Sequence, residues 1–178
     1  FLHTAGSMPM SCFEGKALHY GVFYPMQTFS KAKDVCFENI PVFIEGDSAE
    51  TEDVIRSLAN MLSKRVITLS SADRKYLHLA AVWACNFTNH CYSVASDILS
   101  EHGIPFDVML PLINETTEKI QKISPKEAQT GPAVRGDKNV MGQQLELMSD
   151  RADLQELYKM LSKGINPLVD GFTLDKID

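Results

Sequence analysis

The sequence predicts an α/β region followed by an all-α region. Before about residue 70, short runs rich in β-branched and aromatic residues alternate with turn residues, which is typical of strands. After that point apolar residues recur at helical spacing and no strand pattern returns. Strand, helix and strand follow one another through short loops, so the first region is expected to be a sheet covered by helices.

The first region contains four predicted strands and one predicted helix. The strand runs are, in order, residues 1–3, 20–24, 41–45 and 65–69. The helix is predicted over residues 50–64, because apolar residues recur there at helical spacing. These residues are Val54, Ile55, Leu58, Ala59 and Leu62.

The second region begins with a long predicted helix. Ser71 is a suitable N-cap, and the helix is expected to run to about His102, where Gly103 and Pro105 end it. Further helices are predicted over residues 106–123, 138–148 and 152–163, with a Gly- and Pro-rich loop over 124–139.

Composition and charge exclude several classes of protein. The 178 residues include 23 acidic and 17 basic side chains, and the net charge of −6 argues against a nucleic-acid partner. The 21 uncharged residues from Tyr76 to Ser96 could span a bilayer, but the histidines and asparagines among them are costly in lipid. Four cysteines without a CxxC pair or a recognisable leader predict reduced, buried thiols in a cytoplasmic protein, and no spacing indicates a metal site.

The long helix has two predicted faces. A seam of mostly small residues at 4-3-4-3 spacing predicts close packing against another helix, within a helical domain or a dimer. The seam consists of Leu77, Ala81, Ala84, Thr88, Cys91, Ala95 and Ile98. A polar stripe falls within about 80° on a regular helix, roughly 140° from the seam. The stripe consists of His78, Val82, Asn86, Asn89 and Ser93.

The polar stripe has two interpretations. It is either a hydrogen-bonded core network or polar interface, or the wall of a pocket in which His78 and Asn86 or Asn89 face a ligand. Arg74 and Lys75, at the start of the same helix, are either surface charges or the binding site for an anion at the rim of that pocket.

Two loops contain further candidate residues. Residues 3–7, His-Thr-Ala-Gly-Ser, follow a strand, where open α/β sheets bind ligands, although a plain turn explains them as well. Residues 130–137, Thr-Gly-Pro-Ala-Val-Arg-Gly-Asp, combine two glycines and a proline with Arg135. Arg135 could bind a carboxylate or phosphate through two hydrogen bonds, or it could pair with Asp137 and hold the loop.

Several motifs occur together in one order. They are His3–Ser7, Tyr24–Phe29, Pro41–Gly46, Leu77–Ala81 with Asn86, and Thr130–Asp137. Their combination resembles the Rossmann-like proteins with a DUF2520 C-terminal domain, often labelled NADP- or F420-dependent oxidoreductases. The resemblance covers nearly the whole chain, and the TGPxxRGD-type loop is its most specific part.

The resemblance implies two domains. Residues 1–70 would be the C-terminal part of a Rossmann-like NAD(P)-binding domain, and residues 71–178 a helical dimerisation and substrate domain. The latter would be similar to the C-terminal domain of 6-phosphogluconate dehydrogenase. Such proteins begin with a strand, a GxGxxG turn and a helix, which this sequence lacks. This chain alone is therefore expected to bind NADP poorly and to be inactive.

The resemblance also implies a function: hydride transfer between NADP(H) and a small polar substrate, for which a carboxylate group is one option. His78 would donate or accept the proton, Asn86 would orient the substrate and Ser7 would polarise it. Arg135, Asn89 and Thr130 would bind the substrate. His3, Thr4 and Gly6 would contact the cofactor. The family commonly has His-Pro where this sequence has Tyr24-Pro25, which leaves acid–base chemistry at that position in question.

A second hypothesis is a non-catalytic dinucleotide sensor or dimerisation scaffold. In both cases the helical domain is expected to form a homodimer. The sequence leaves open the substrate, the choice among NADP, NAD and F420, and the direction of hydride transfer.

Overall fold

A computed structural model describes residues 1–30 and 34–169. The chain divides into two compact units, Phe1–His102 and Gly103–Asp178, and each is described by itself. In this division the long helix belongs to the same unit as the sheet. The domain boundary that the sequence predicts near residue 70 is not tested by this division and stays a prediction.

The first unit contains a four-stranded mixed sheet. The strands are β1 (Leu2–His3), β2 (Gly21–Pro25), β3 (Val42–Gly46) and β4 (Val66–Thr68), in the spatial order β1-β2-β3-β4. The β1–β2 and β3–β4 pairs are parallel and the β2–β3 pair is antiparallel. All four predicted strands are therefore confirmed, with ends that differ by at most one residue.

Helix α1 (Ala49–Asn60) covers one face of this sheet. Its N-cap is Ser48, whose hydroxyl accepts a hydrogen bond of 3.2 Å from the Thr51 amide. A core forms between helix and sheet because inward-facing residues of β3 meet one face of α1. The members of this core are Val42, Ile44, Ile55 and Ala59. The predicted apolar stripe of α1 is only partly buried, since Val54, Leu58 and Leu62 are exposed, and the helix ends at Asn60 rather than near Lys64.

The predicted long helix is present but is not regular. It consists of α2 (Ser71–Ala81), a π-helical segment (Val82–Phe87) and α3 (Thr88–Glu101). Its N-cap is Ser70, not Ser71, because the Ser70 hydroxyl accepts from the Asp73 amide. Within the described part of the chain, no helix combines the length and the apolar character needed to cross a bilayer.

The second unit is helical. After a 3₁₀ turn at Phe106–Met109 it contains α4 (Leu110–Lys119), α5 (Pro132–Arg135), α6 (Lys138–Glu146) and α7 (Ala152–Ile165). A small core joins α5, α6 and the end of the described chain. Its buried members are Ala133, Met141, Leu145 and Val169. The side-chain amide of Asn166 donates to the Ala133 carbonyl at 3.0 Å and links the end of α7 to α5.

The prediction of four buried thiols is wrong. All four cysteines are free, Cys36, Cys85 and Cys91 are exposed, and Cys12 is half-buried. The physical reason for two of them is that the long helix buries only one side chain in this chain, Arg74. Within the small-residue seam Leu77, Ala81, Thr88 and Ala95 are half-buried, whereas Cys91 is exposed, as is Cys85 outside the seam.

Candidate functional site

Side chains from three separate elements meet at His78. Because β1 and β2 are parallel, the loop after His3 and the end of β2 lie at the same edge of the sheet. Tyr24, near the end of β2, places its hydroxyl oxygen 3.5 Å from Nδ1 of His78 on α2. Gly6, in the loop after β1, is buried against both side chains.

Gly6 is required here by close packing. A Cβ atom at this position would lie 2.6 Å from His78 Nδ1 and 2.9 Å from the Tyr24 hydroxyl oxygen. No larger residue fits unless one of these side chains moves. The sequence interpretation that Gly6 allows the backbone to approach a cofactor is not tested and stays a prediction. The close approach seen here is to His78 and Tyr24.

A cavity of about 190 Å³ opens beside His78. It is lined by Tyr24, Met26, Gln27, Thr28, His78, Ala81, Val82, Cys85 and Asn86. The predicted catalytic residues His78 and Asn86 therefore border the same space. This lining supports the interpretation of the polar stripe as a pocket wall.

A second, wider cavity of about 550 Å³ shares Thr28, Cys85 and Asn86 with the first. Its remaining lining residues are Ala84, Thr88, Asn89 and Tyr92. The predicted substrate residue Asn89 thus lies on this second cavity, with Asn86 between the two. None of the residues that line either cavity is an Asp, Glu, Lys or Arg.

Residues from both predicted faces of the long helix line these cavities. The prediction placed the seam and the polar stripe about 140° apart on a regular helix. In a π-helix each turn holds more residues, so Val82–Phe87 rotates the following residues relative to His78. Ala81, from the seam, lines the first cavity beside His78 and Asn86, and Ala84 and Thr88 line the second. The predicted angle between the two faces stays a prediction.

Arg74 is neither a surface charge nor a free anion site, so both interpretations of this residue are wrong. Its side chain is 1% exposed and donates to Glu45 Oε2 on β3 at 2.7 Å. It also donates to the Met8 carbonyl at 2.6 Å and to the Ser71 hydroxyl at 3.1 Å. Lys75, by contrast, is exposed, with its ammonium 5.2 Å from the centre of the Tyr76 ring.

This buried network fixes the loop after β1 on the start of α2. Besides the Arg74 contact with Met8, the Met10 amide donates to the Ser71 hydroxyl at 2.9 Å. Glu45 in turn accepts from both the amide and the hydroxyl of Ser71. The loop that contains Gly6 and Ser7 is therefore held beside His78.

The network also shapes the electrostatics of the site. Burial acts to raise the pKa of Glu45, but the hydrogen bonds from Ser71 and Arg74 and the Arg74 charge outweigh it, so this pKa is lowered. Burial lowers the pKa of His3, and the Arg74 charge lowers it further. Burial raises the pKa of Tyr24, although Arg74 acts in the opposite direction.

The predicted cofactor residues lie at the edge of the sheet. His3 Nδ1 accepts from the Ala5 amide at 3.2 Å, and the ring packs on Phe13 with 5.8 Å between centroids. His3 Nε2 is buried and makes no hydrogen bond of good geometry within the described part of the chain. Thr4 and Ser7 are exposed. Their roles in cofactor and substrate binding stay predictions.

The second unit contains the other two predicted substrate residues, Thr130 and Arg135. Both are exposed. The carboxylate of Asp137 accepts from the Val140 amide at 3.2 Å and caps α6, while Gly131 (φ 108°) and Gly136 (φ 66°) turn the chain on either side of α5. Among residues 1–30 and 34–169, Arg135 forms no ion pair, so its expected alternative pairing with Asp137 is not formed. Its anion-binding role stays a prediction.

Sequence reasoning missed Tyr24 and Thr28 as site residues. Tyr24 was noted only as a departure from a family motif. Its position near the carboxyl end of a strand was the signal that could have placed it at the site, since ligands bind at such ends.

Among the described residues, no three His, Cys, Asp or Glu side chains are grouped closely enough to hold a metal ion.

The fold and site together define a class: a Rossmann-like sheet followed by helices, with a cavity lined by uncharged residues beside the first long helix. Residues 40–165 match the family described as "domain of unknown function (DUF2520)". The chain belongs to this family, and the predicted fold class is confirmed.

Two solved structures are similar to this chain. One is the putative NADP oxidoreductase BF3122 from Bacteroides fragilis, with 52% sequence identity and a TM-score of 0.90 over 93% of this chain. The aligned part is 64% of that protein's chain, so this chain spans less than two thirds of its length. The other is the protein TM1727 from Thermotoga maritima, with 22% identity and a TM-score of 0.75, covering 91% of this chain and 67% of that one. The second likeness shows the fold alone. No curated protein matches this chain.

Proposed function

We propose that the protein containing this chain transfers hydride between NADP(H) and a small polar substrate. The observation that carries this proposal is that His78 and Asn86, eight positions apart on an irregular helix, line one cavity near the end of β2. The similarity of this chain to the B. fragilis protein, described as a putative NADP oxidoreductase, supports the choice of cofactor.

The proposed roles follow from hydrogen-bonding capacity. The His78 imidazole donates or accepts the substrate proton, and the Asn86 amide orients the substrate in the same cavity. The exposed Ser7 hydroxyl polarises a substrate oxygen. Asn89 extends the binding surface into the second cavity. Arg135 and Thr130, which are exposed in the second unit, are proposed to bind an anionic group such as a carboxylate.

The described residues fit a sugar or amide group of NADP better than its pyrophosphate. The hydroxyls of Thr4 and Ser7 are exposed at the edge of the sheet and can hydrogen-bond to a sugar or amide group. A pyrophosphate cradle needs open glycine backbone, whereas the space beside Gly6 is filled by His78 and Tyr24. We therefore assign to His3, Thr4 and Gly6 the edge of the cofactor site nearest the substrate. The bound cofactor would supply or receive the hydride there.

A second candidate function is a non-catalytic dinucleotide sensor or dimerisation scaffold. The observation in its favour is an exposed apolar surface on the long helix. It consists of Tyr76, Leu79, Trp83 and Phe87, which are 65%, 53%, 60% and 46% exposed. An apolar surface of this kind is typical of a contact with another protein, and a homodimer through this helix is proposed under either function. The cytoplasmic location also stays a prediction.

One experiment separates the two functions. NADPH is titrated calorimetrically into the full-length gene product, and its oxidation is then followed spectrophotometrically with a panel of small aldehydes, ketones and keto acids. Binding with turnover is the result expected of an oxidoreductase. Binding without turnover of any panel member, or in the reverse direction of any matching alcohol with NADP, would favour the sensor.

The same protein tests the proposed dimer. Analytical ultracentrifugation is expected to show a dimer that Trp83→Asp dissociates. The control Met61→Asp, at an even more exposed apolar residue outside the long helix, is expected to leave the dimer intact. A monomeric native protein would contradict the dimer under both functions.

A further inference from the structure

The two ring nitrogens of His78 lie in different surroundings. Nδ1 is 3.5 Å from the Tyr24 hydroxyl oxygen and is packed against Gly6. Nε2 has no hydrogen-bond partner among the described residues. Since His78 also lines the cavity beside α2, the nitrogen left for a ligand is Nε2.

We propose that Tyr24 is a positioning residue for His78: its hydroxyl donates to Nδ1, so that the neutral ring presents a protonated Nε2 to the cavity. The chemical use of this proton rests on the proposed oxidoreductase function. The hydrogen bond itself does not, because it joins two side chains of this unit.

The direction of the hydrogen bond follows from the donors and acceptors present. Burial raises the pKa of Tyr24, against a smaller opposing effect of Arg74, so the phenol keeps its proton near neutral pH. His78 Nδ1 is the one hydrogen-bond partner of that hydroxyl within the described chain. If the phenol donates, its proton and the Nδ1 lone pair are both used; in the reverse arrangement the phenol proton has no partner.

Gly6 prevents a ligand from approaching Nδ1 of His78. Its backbone occupies the space beside Nδ1, and a substrate group could not approach that nitrogen without displacing it. The loop in turn is fixed by the buried Arg74, which donates to the Met8 carbonyl at 2.6 Å. Tyr24 and Gly6 thus enclose Nδ1 from two sides.

A protonated Nε2 suits a substrate carbonyl in the cavity. When the carbonyl carbon gains hydride, the π-electron pair moves to the oxygen, which accepts the proton from Nε2. Nδ1 takes up the Tyr24 proton at the same time, and a proton from solvent then adds to Nε2 as Nδ1 returns its proton to the Tyr24 phenolate. The imidazole stays neutral throughout, and atoms and charge balance.

The test is ¹⁵N NMR of the histidine side chains. At a pH where His78 is neutral, native protein is expected to show an unprotonated, hydrogen-bonded Nδ1 and a protonated Nε2. Tyr24→Phe removes only the hydroxyl and is expected to shift the Nδ1 resonance. The control Tyr20→Phe is expected to leave the His78 signals unchanged. A protonated Nδ1 in native protein, or identical His78 signals in Tyr24→Phe, would overturn the proposal.

Kinetics separate this inference from the proposed function. Once a substrate has been identified, Tyr24→Phe is expected to lower kcat about tenfold, which is the effect of one lost hydrogen bond, and to leave KM nearly unchanged. A native kcat in Tyr24→Phe would refute the positioning role in catalysis. If no substrate is turned over by native protein while the NMR result holds, the oxidoreductase function fails and the Tyr24–His78 hydrogen bond stands.

Discussion

The hydroxyl of Tyr24 lies 3.5 Å from Nδ1 of His78, although the two residues are 54 positions apart in the sequence. This contact joins the end of β2 to the long helix and places Gly6 between them. It makes the carboxyl edge of the sheet and the helix parts of one site. The predictions below test what holds this site together and what it does.

Replacement of Arg74 is expected to destabilise the protein strongly. Arg74→Met leaves the Glu45 carboxylate largely buried without its cation, and breaking a buried pair in this way costs ~3 kcal/mol or more. The matched control is Arg56→Met, which breaks the much more exposed pair with Glu52 and should cost less than ~1 kcal/mol. Urea unfolding measures both free energies, and equal losses would contradict the importance of burial.

Stability is expected to decrease as the pH falls below the ordinary Glu45 pKa of 4.5. Because the folded-state pKa of Glu45 is lowered, its contribution is fully present above the unfolded-state value and is lost as the pH falls through the folded-state value. Urea unfolding across this pH range should therefore give a shallower decrease for Glu45→Gln than for native protein. Parallel curves would show that Glu45 does not contribute.

Two glycine substitutions are expected to have opposite signs. Gly6→Ala brings a methyl group within 2.6 Å of His78 Nδ1 and should cost ~1–3 kcal/mol through overpacking. Gly164→Ala, near the end of α7, meets no atom within 4 Å and should stabilise by ~0.5 kcal/mol. Thermal unfolding distinguishes the two, and a neutral Gly6→Ala would show that the loop yields easily.

The Thr130–Asp137 loop is expected to depend on Asp137 and not on Arg135 for its stability. Asp137→Ala removes the cap of α6 and should cost ~1 kcal/mol, while Asp137→Asn, which can still cap, should cost less. Arg135→Ala should change stability by less than ~0.5 kcal/mol, since the side chain is exposed. A large loss on Arg135→Ala would indicate a structural role instead of a ligand-binding one.

The strands and the long helix could be predicted from the sequence because each rests on a local pattern. The β-rich runs that end in turn residues predict the strand positions to within one residue. Apolar spacing and the Gly103 stop likewise indicated the extent of the helix to Glu101. His78 and Asn86 line one cavity, and their common face is predicted from spacing along one helix, while their catalytic roles stay predictions.

Other features depend on contacts between residues far apart in the chain, which local sequence patterns do not predict. Arg74 on α2 is buried in an ion pair with Glu45, 29 positions earlier on β3, whereas its charge alone indicates a surface position. The π-helical segment adds residues to a turn without a signal in composition, so the sequence predicts a regular helix there. Tyr24 gains its place in the site only from the fold of the sheet edge against α2.

The central claim is that His78 exchanges the proton when the substrate is reduced or oxidised. The most direct measurement is kcat for hydride transfer by the full-length gene product with His78→Ala, compared with His90→Ala, an exposed histidine on the same helix that lines neither cavity. Loss of a general acid–base group should lower kcat ~10²–10⁴-fold in His78→Ala and leave His90→Ala at the native rate. An unchanged kcat in His78→Ala across the substrate panel would contradict the account.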